Sequence, residues 1–146
     1  MAEKSARVQT DDVLISRSGS LGLTVAIPSS LNNSVFGSYF IRIRPNESII
    51  KSQFLALYMN SIAGKLQVEQ QNTGGIQTNL TIPVIEDMKV VCPPLIVQEQ
   101  FISKINEGVN LESQSQHLLE LAKRAVEVAI EEGEEQALAL LGSATD

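Results

Sequence analysis

The sequence predicts an α+β (mixed α/β) chain: a small mixed or antiparallel sheet domain with packed helices, followed by a long C-terminal helix or helices. Three observations predict it. Short apolar runs rich in Val and Ile, each bounded by Gly, Pro, Ser or Asn, fill the front half and suit strands rather than helices. From Leu95 to Ile130 the apolar residues instead recur at steps of three and four, which is helical spacing. Between the two regimes stands Pro93-Pro94, which ends a sheet ladder and suits the start of a helix.

The elements follow in order. Val13 to Ile15 and Thr24 to Ile27 read as strands, joined through Arg17-Ser18-Gly19-Ser20-Leu21-Gly22, where glycine permits a tight turn. Pro28 to Ser34 is a loop by composition. Val35 to Arg44 is the clearest strand, with Tyr39, Ile41 and Ile43 on one face and Phe40, Arg42 and Arg44 on the other. Arg42 and Arg44 either face a ligand or form a solvated sheet face, and the second reading is favoured. A helix capped by Ser48 is expected to reach Ala63, interrupted at Gly64. Gln71 to Asn79 is a polar loop, Met88 to Val91 a further strand. Helices then follow, weakened at Gly108 and broken at Gly133, with Glu120 and Arg124 paired one turn apart on the outer face. Leu111 to Gly133 spans roughly 35 Å at the helical rise. Its stripe of Leu111, Leu118, Ala122, Ala125 and Ala129 predicts packing against a partner helix.

Composition narrows the function. The chain has 146 residues, 43% of them hydrophobic, which is enough for one cored domain. The single cysteine, Cys92, excludes an internal disulfide and suits a reducing compartment, where it is expected as a small buried hydrophobe. The N-terminus lacks an apolar signal core and no run approaches the roughly 20 apolar residues of a membrane span, so a soluble, cytoplasmic protein without membrane contact is expected. Net charge is −6. Residues 1–92 carry eight basic and seven acidic side chains, whereas residues 93–146 carry three basic and ten acidic. The acidity therefore belongs to the C-terminal helices. The expected division is a front domain over 1–92 and a helical region over 93–146 that packs on a partner.

No catalytic set stands out, and no metal or other cofactor is expected: no Cys/His group has metal spacing, and no phosphate loop is present. His117 reads as a solvated helix residue and Asp11-Asp12 as polar residues leading a strand. Arg17, Ser18 and Ser20 offer a guanidinium and two hydroxyls on one turn, a set that can bind phosphate or read guanine. An ordinary turn with a solvated arginine is the alternative. Gln71, Asn72, Thr73, Gln77 and Asn79 concentrate amides and a hydroxyl, and amides can pair with adenine. A plain polar loop is the alternative there. Lys65, Gln67 and Gln70 flank that loop and can contact a nucleic-acid backbone.

Five segments in order resemble the target recognition domain of type I restriction–modification specificity subunits. They are Asp-Val-Leu-Ile-Ser-Arg-Ser-Gly-Ser-Leu-Gly at 12–22, Tyr-Phe-Ile-Arg-Ile-Arg-Pro at 39–45, Phe-Leu-Ala-Leu-Tyr-Met-Asn-Ser at 54–61, Gly-Gly-Ile-Gln-Thr-Asn-Leu at 74–80 and Cys-Pro-Pro-Leu-Ile-Val-Gln-Glu-Gln at 92–100. The resemblance implies a non-enzymatic module that recognises double-stranded DNA and directs methyltransferase and restriction subunits to a half-site. It also implies that 1–92 is a partial target recognition, DNA-binding domain and 93–146 a helical spacer or dimerisation region that docks a DNA methyltransferase subunit. A complete subunit of that family carries two recognition domains and two helical regions, where this chain has at most one of each. It is then a fragment, a half-subunit that forms a homodimer through its C-terminal helices, or the tail of a fused polypeptide. The competing reading keeps the fold as a protein-interaction or oligomerisation module without significant DNA binding.

Overall fold

A computed structural model of the chain describes residues 7–71 and 79–142. They form two compact units, Met1–Ile102 and Ser103–Asp146. In the first, three antiparallel strands β1 (Val13–Ser16), β2 (Thr24–Ala26) and β3 (Phe40–Ile43) make a sheet of order β2-β1-β3. Leu14 stands opposite Val25 on one side and Arg42 on the other. Central β1 is buried along its whole length, as its unbroken Val-Leu-Ile run requires. Val13 and Ile15 pack with Leu55, Met59, Val68 and Leu80, while Leu14 packs on the opposite face with Val8 and Ile27.

The helices covering the first face are α1 (Ser52–Asn60) and α2 (Ile62–Gln70). The chain breaks at Ser61, not at Gly64: Ser61 takes extended dihedrals, and its hydroxyl and N–H both donate to the Tyr58 carbonyl. Gly64 has a different task. A Cβ there would lie 2.3 Å from the Met59 carbonyl oxygen, so its missing side chain lets α2 fold back tightly on α1. Lys51, rather than Ser48, holds the cap position of α1, and Ser48 closes an Asn46 turn instead.

Several expectations are corrected. The strand over Val35–Arg44 shrinks to β3, with Val35 reduced to a lone bridge to Arg7. Met88–Val91 pairs with no strand among the described residues. Its place in the ladder is taken by Gln67, whose Nε2 donates to the Lys89 carbonyl at 3.0 Å while its Oε1 accepts the Lys89 N–H at 2.7 Å. Gln67 is therefore spent inside the fold. A short helix α3 (Ile82–Asp87), with Pro83 in its first turn, precedes that segment. Cys92 is exposed, its thiol donating to the Ile49 carbonyl.

Helix α4 (Leu95–Glu131) runs unbroken through Gly108, which has nothing within 4 Å of its Cβ position. Its first turns belong to the front unit. Gln98 is fully buried there: its Oε1 accepts the Lys51 N–H at 2.8 Å, and its Nε2 donates to the carbonyls of Pro93 at 2.7 Å and Ile49 at 3.0 Å. Phe101 meets Phe54 with ring centroids 6.1 Å apart. In the second unit Gly133, at φ +105°, ends α4, and α5 (Glu134–Gly142) follows. Glu120 pairs with Lys123 at 2.7 Å and not with Arg124. Among the described residues, no helix is long and apolar enough to cross a membrane.

Candidate nucleic-acid interface

The arginines near the sheet differ sharply in what they do. Asp12, just before β1, is 3% exposed, and its carboxylate accepts the Gln9 N–H at 2.8 Å and Arg44 Nε at 3.0 Å. Arg42 Nε lies 3.8 Å from the same carboxylate, and its Nη1 donates to the Arg7 carbonyl. These ion pairs correct one expectation and extend another: Arg42 and Arg44 are not a simple solvated face, and Asp12, which does lead β1, is also a buried ion-pair partner. The guanidinium of Arg17, by contrast, has no ion-pair or hydrogen-bond partner among the described residues.

Arg17 opens a turn that the chain builds with care. Ser16 closes β1 and anchors it: its hydroxyl donates to the Ser20 carbonyl and accepts the Leu23 N–H at 3.0 Å. The Gly22 N–H returns to the Ser16 carbonyl at 2.9 Å. Gly19 and Gly22 both take positive φ, the left-handed conformation that costs other residues roughly 1–2 kcal/mol. At Gly22 the space is also closed, because a Cβ would lie 2.7 Å from Val68 Cγ2. On the far side, Asn60 at the end of α1 pairs its amide with both the N–H and the carbonyl of Thr24, capping the outer edge of β2.

The same turn touches both stems of the amide-rich segment. Gly22 packs on Val68, which lies three residues before Gln71 at the end of α2. The Arg17 carbonyl accepts the N–H of Leu80, next to Asn79, at 3.0 Å, while the Arg17 N–H donates to the Tyr39 carbonyl at 2.9 Å. Arg17, Ser18, Ser20 and the two segment ends thus share one end of the front unit. Ser20, Gln71 and Asn79 are exposed, and Arg17 and Ser18 are half-buried. Asn72, Thr73 and Gln77 lie outside the described residues. A free guanidinium, hydroxyls and amides on one rim supply donors and acceptors for base edges and phosphates.

The residues suggested for partner helices are differently placed. Leu111, Leu118 and Ala122 are exposed, Ala129 is half-buried, and Ala125 is 4% exposed. Sequence reasoning missed the structural amides Asn60, Gln67 and Gln98. One signal was available: Gln98 interrupts the apolar stripe that runs from Leu95 to Ile102, and a polar residue on a buried stripe must find partners.

The model of the type I restriction modification DNA specificity domain family matches residues 2–121 of the 146. Among solved structures, the HsdS subunit from Thermoanaerobacter tengcongensis superposes with a TM-score of 0.59 at 18% identity, over 89% of this chain and 33% of that one. The chain thus spans about a third of the length of that subunit. No curated protein sequence matches it.

Proposed function

This chain belongs to the type I restriction modification DNA specificity domain family, and we propose that it reads duplex DNA with the rim formed by Arg17, Ser18, Ser20, Gln71 and Asn79. Asn72, Thr73 and Gln77 complete the reading set. The observation that carries this reading is the backbone bond from Leu80 to Arg17, which ties the turn to one stem of the amide-rich segment so that one groove can meet both. The module does no chemistry itself. It directs methyltransferase and restriction subunits to a half-site in the cytoplasm, with the C-terminal helices as the docking element. Exposed Val109, Leu111, Leu118 and Leu119 on α4 support that association.

The test is fluorescence anisotropy of the full chain with a randomised duplex pool, selected and then titrated against salt. DNA affinity is expected to fall steeply with salt, with a log–log slope of about −0.9 per phosphate neutralised. Arg17→Ala is expected to cost about 1–3 kcal/mol of specific binding and to relax preference at one base position. Equal affinity of the two proteins would remove Arg17 from the interface. No salt-dependent binding at all would leave the fold as a protein-interaction module.

A further inference from the structure

A second basic site lies away from the Arg17 rim. A groove of about 630 Å³ is lined by Arg7, Gln9, Asn32, Asn33, Arg42 and Arg44. Three guanidinium groups line it, and among the described residues Asp12 is the one carboxylate bonded to them. The neighbouring acid, Asp11, is approached by the Ser52 hydroxyl at 3.4 Å. The described residues at the groove therefore carry a surplus of positive charge. The groove's hydrogen-bonding capacity is only partly spent among the described residues. Each guanidinium carries five N–H donors. Arg44 uses Nε on Asp12, Arg7 uses Nη1 on the Asn33 carbonyl at 2.7 Å, and Arg42 uses Nη1 on the Arg7 carbonyl. The Arg44 side chain is 53% exposed, so its remaining donors reach solvent.

We propose that this groove is a binding site for a phosphate-class oxyanion, distinct from the Arg17 rim. Forked donors with excess charge match the tetrahedral oxygens of phosphate, and the amides of Asn32, Asn33 and Gln9 border the same space. The sheet keeps the two sites apart. Arg42 stands opposite Leu14, so it shares the face that packs on Val8 and Ile27, while Ile15 turns to the helices. Asp12 and Arg17 bracket β1 and stand about 17 Å apart along the strand.

The ligand chemistry has two sources, a free phosphate and the phosphodiester backbone of nucleic acid, and one experiment separates them. The full chain, labelled with nitrogen-15, is titrated first with inorganic phosphate and then with a short duplex, following the arginine Nε–H signals. Saturable shifts at Arg7 and Arg44 with phosphate alone assign a free phosphate ligand, and shifts that also arise with the duplex assign the nucleic-acid backbone. Arg7→Gln is expected to weaken phosphate binding about tenfold, the loss of one charged hydrogen bond. Arg7 meets Val35 through a backbone bridge, and its side chain gives up only the exposed bond to the Asn33 carbonyl, so the variant should stay folded with at most a small fall in melting temperature. Arg17→Ala goes through the same titrations, and groove shifts that persist in it keep this site standing even where the rim fails to bind DNA. No saturable shift at any groove arginine with either titrant overturns the proposal.

Discussion

Asp12 is the residue whose removal should be felt most directly in the front unit. It is almost wholly buried, and its two oxygens hold the Gln9 N–H, Arg44 and the vicinity of Arg42. Breaking a buried pair leaves charge without compensation at a cost of about 3–5 kcal/mol. The Arg42 and Arg44 side chains keep 20% and 53% exposure, so water recovers part of that cost. Asp12→Ala is accordingly expected to lower stability by about 2 kcal/mol, and Arg44→Ala by about 1 kcal/mol or less. Urea unfolding of the three proteins checks the ordering, and a larger loss for Arg44→Ala would contradict the account. This partnership was not legible in the sequence, because Asp12 and its two arginines are 30 and 32 residues apart with no local pattern to join them. Arg17 was legible as a turn arginine, since Gly19 and Gly22 mark the turn chemically. That its guanidinium, unlike those of Arg42 and Arg44, has no partner among the described residues required the positions of the others.

At the scale of elements, strands and turns with local signatures emerged from the pattern, and elements defined by long-range partners did not. β1, β2 and the Gly133 break follow from β-branched runs and glycine. Met88–Val91 carries strand-forming residues, yet the neighbour waiting for it is α2, so a side-chain amide takes the role of a strand. Gln98 is the same device at greater depth. It satisfies three backbone groups at once and fastens the first turns of α4 to the segment before α1. Gln98→Leu keeps the volume, orphans the Lys51 N–H and the Pro93 carbonyl, and leaves the Ile49 carbonyl with the Cys92 thiol alone. Each buried orphan costs about 1–3 kcal/mol, so the variant is expected to lose at least about 2 kcal/mol. Amide hydrogen exchange should locate the damage, with Lys51 and residues 95–102 losing protection before β1 does. Uniform loss across the front unit would mean that Gln98 is not a local fastener.

For the whole molecule, charge and apolar exposure divide the labour. The front of the sequence is near neutral and the C-terminal stretch strongly acidic, so phosphate attraction belongs to the front unit and the acidic helices favour partners other than DNA. Helix α4 leaves Leu111 and Leu118 more than half exposed, seven residues apart on one face, with Ala122 following on the same seam. Farther along that seam Ala125 is already buried within the chain, so the segment open to a partner is the leucine part. Burying each leucine against a second helix is worth about 1.5–3 kcal/mol. The paired substitution Leu111→Lys and Leu118→Lys is therefore expected to raise the dissociation constant of a self-associated chain, or of its complex with a methyltransferase subunit, by about a hundredfold or more. Lysine keeps helix propensity, so the helical content should stay unchanged while association falls. Sedimentation equilibrium over a wide concentration range reads both quantities of interest, mass and affinity. A wild-type chain that stays monomeric and ignores the methyltransferase subunit, or a double variant that associates as tightly as wild type, would show that this seam serves neither partner.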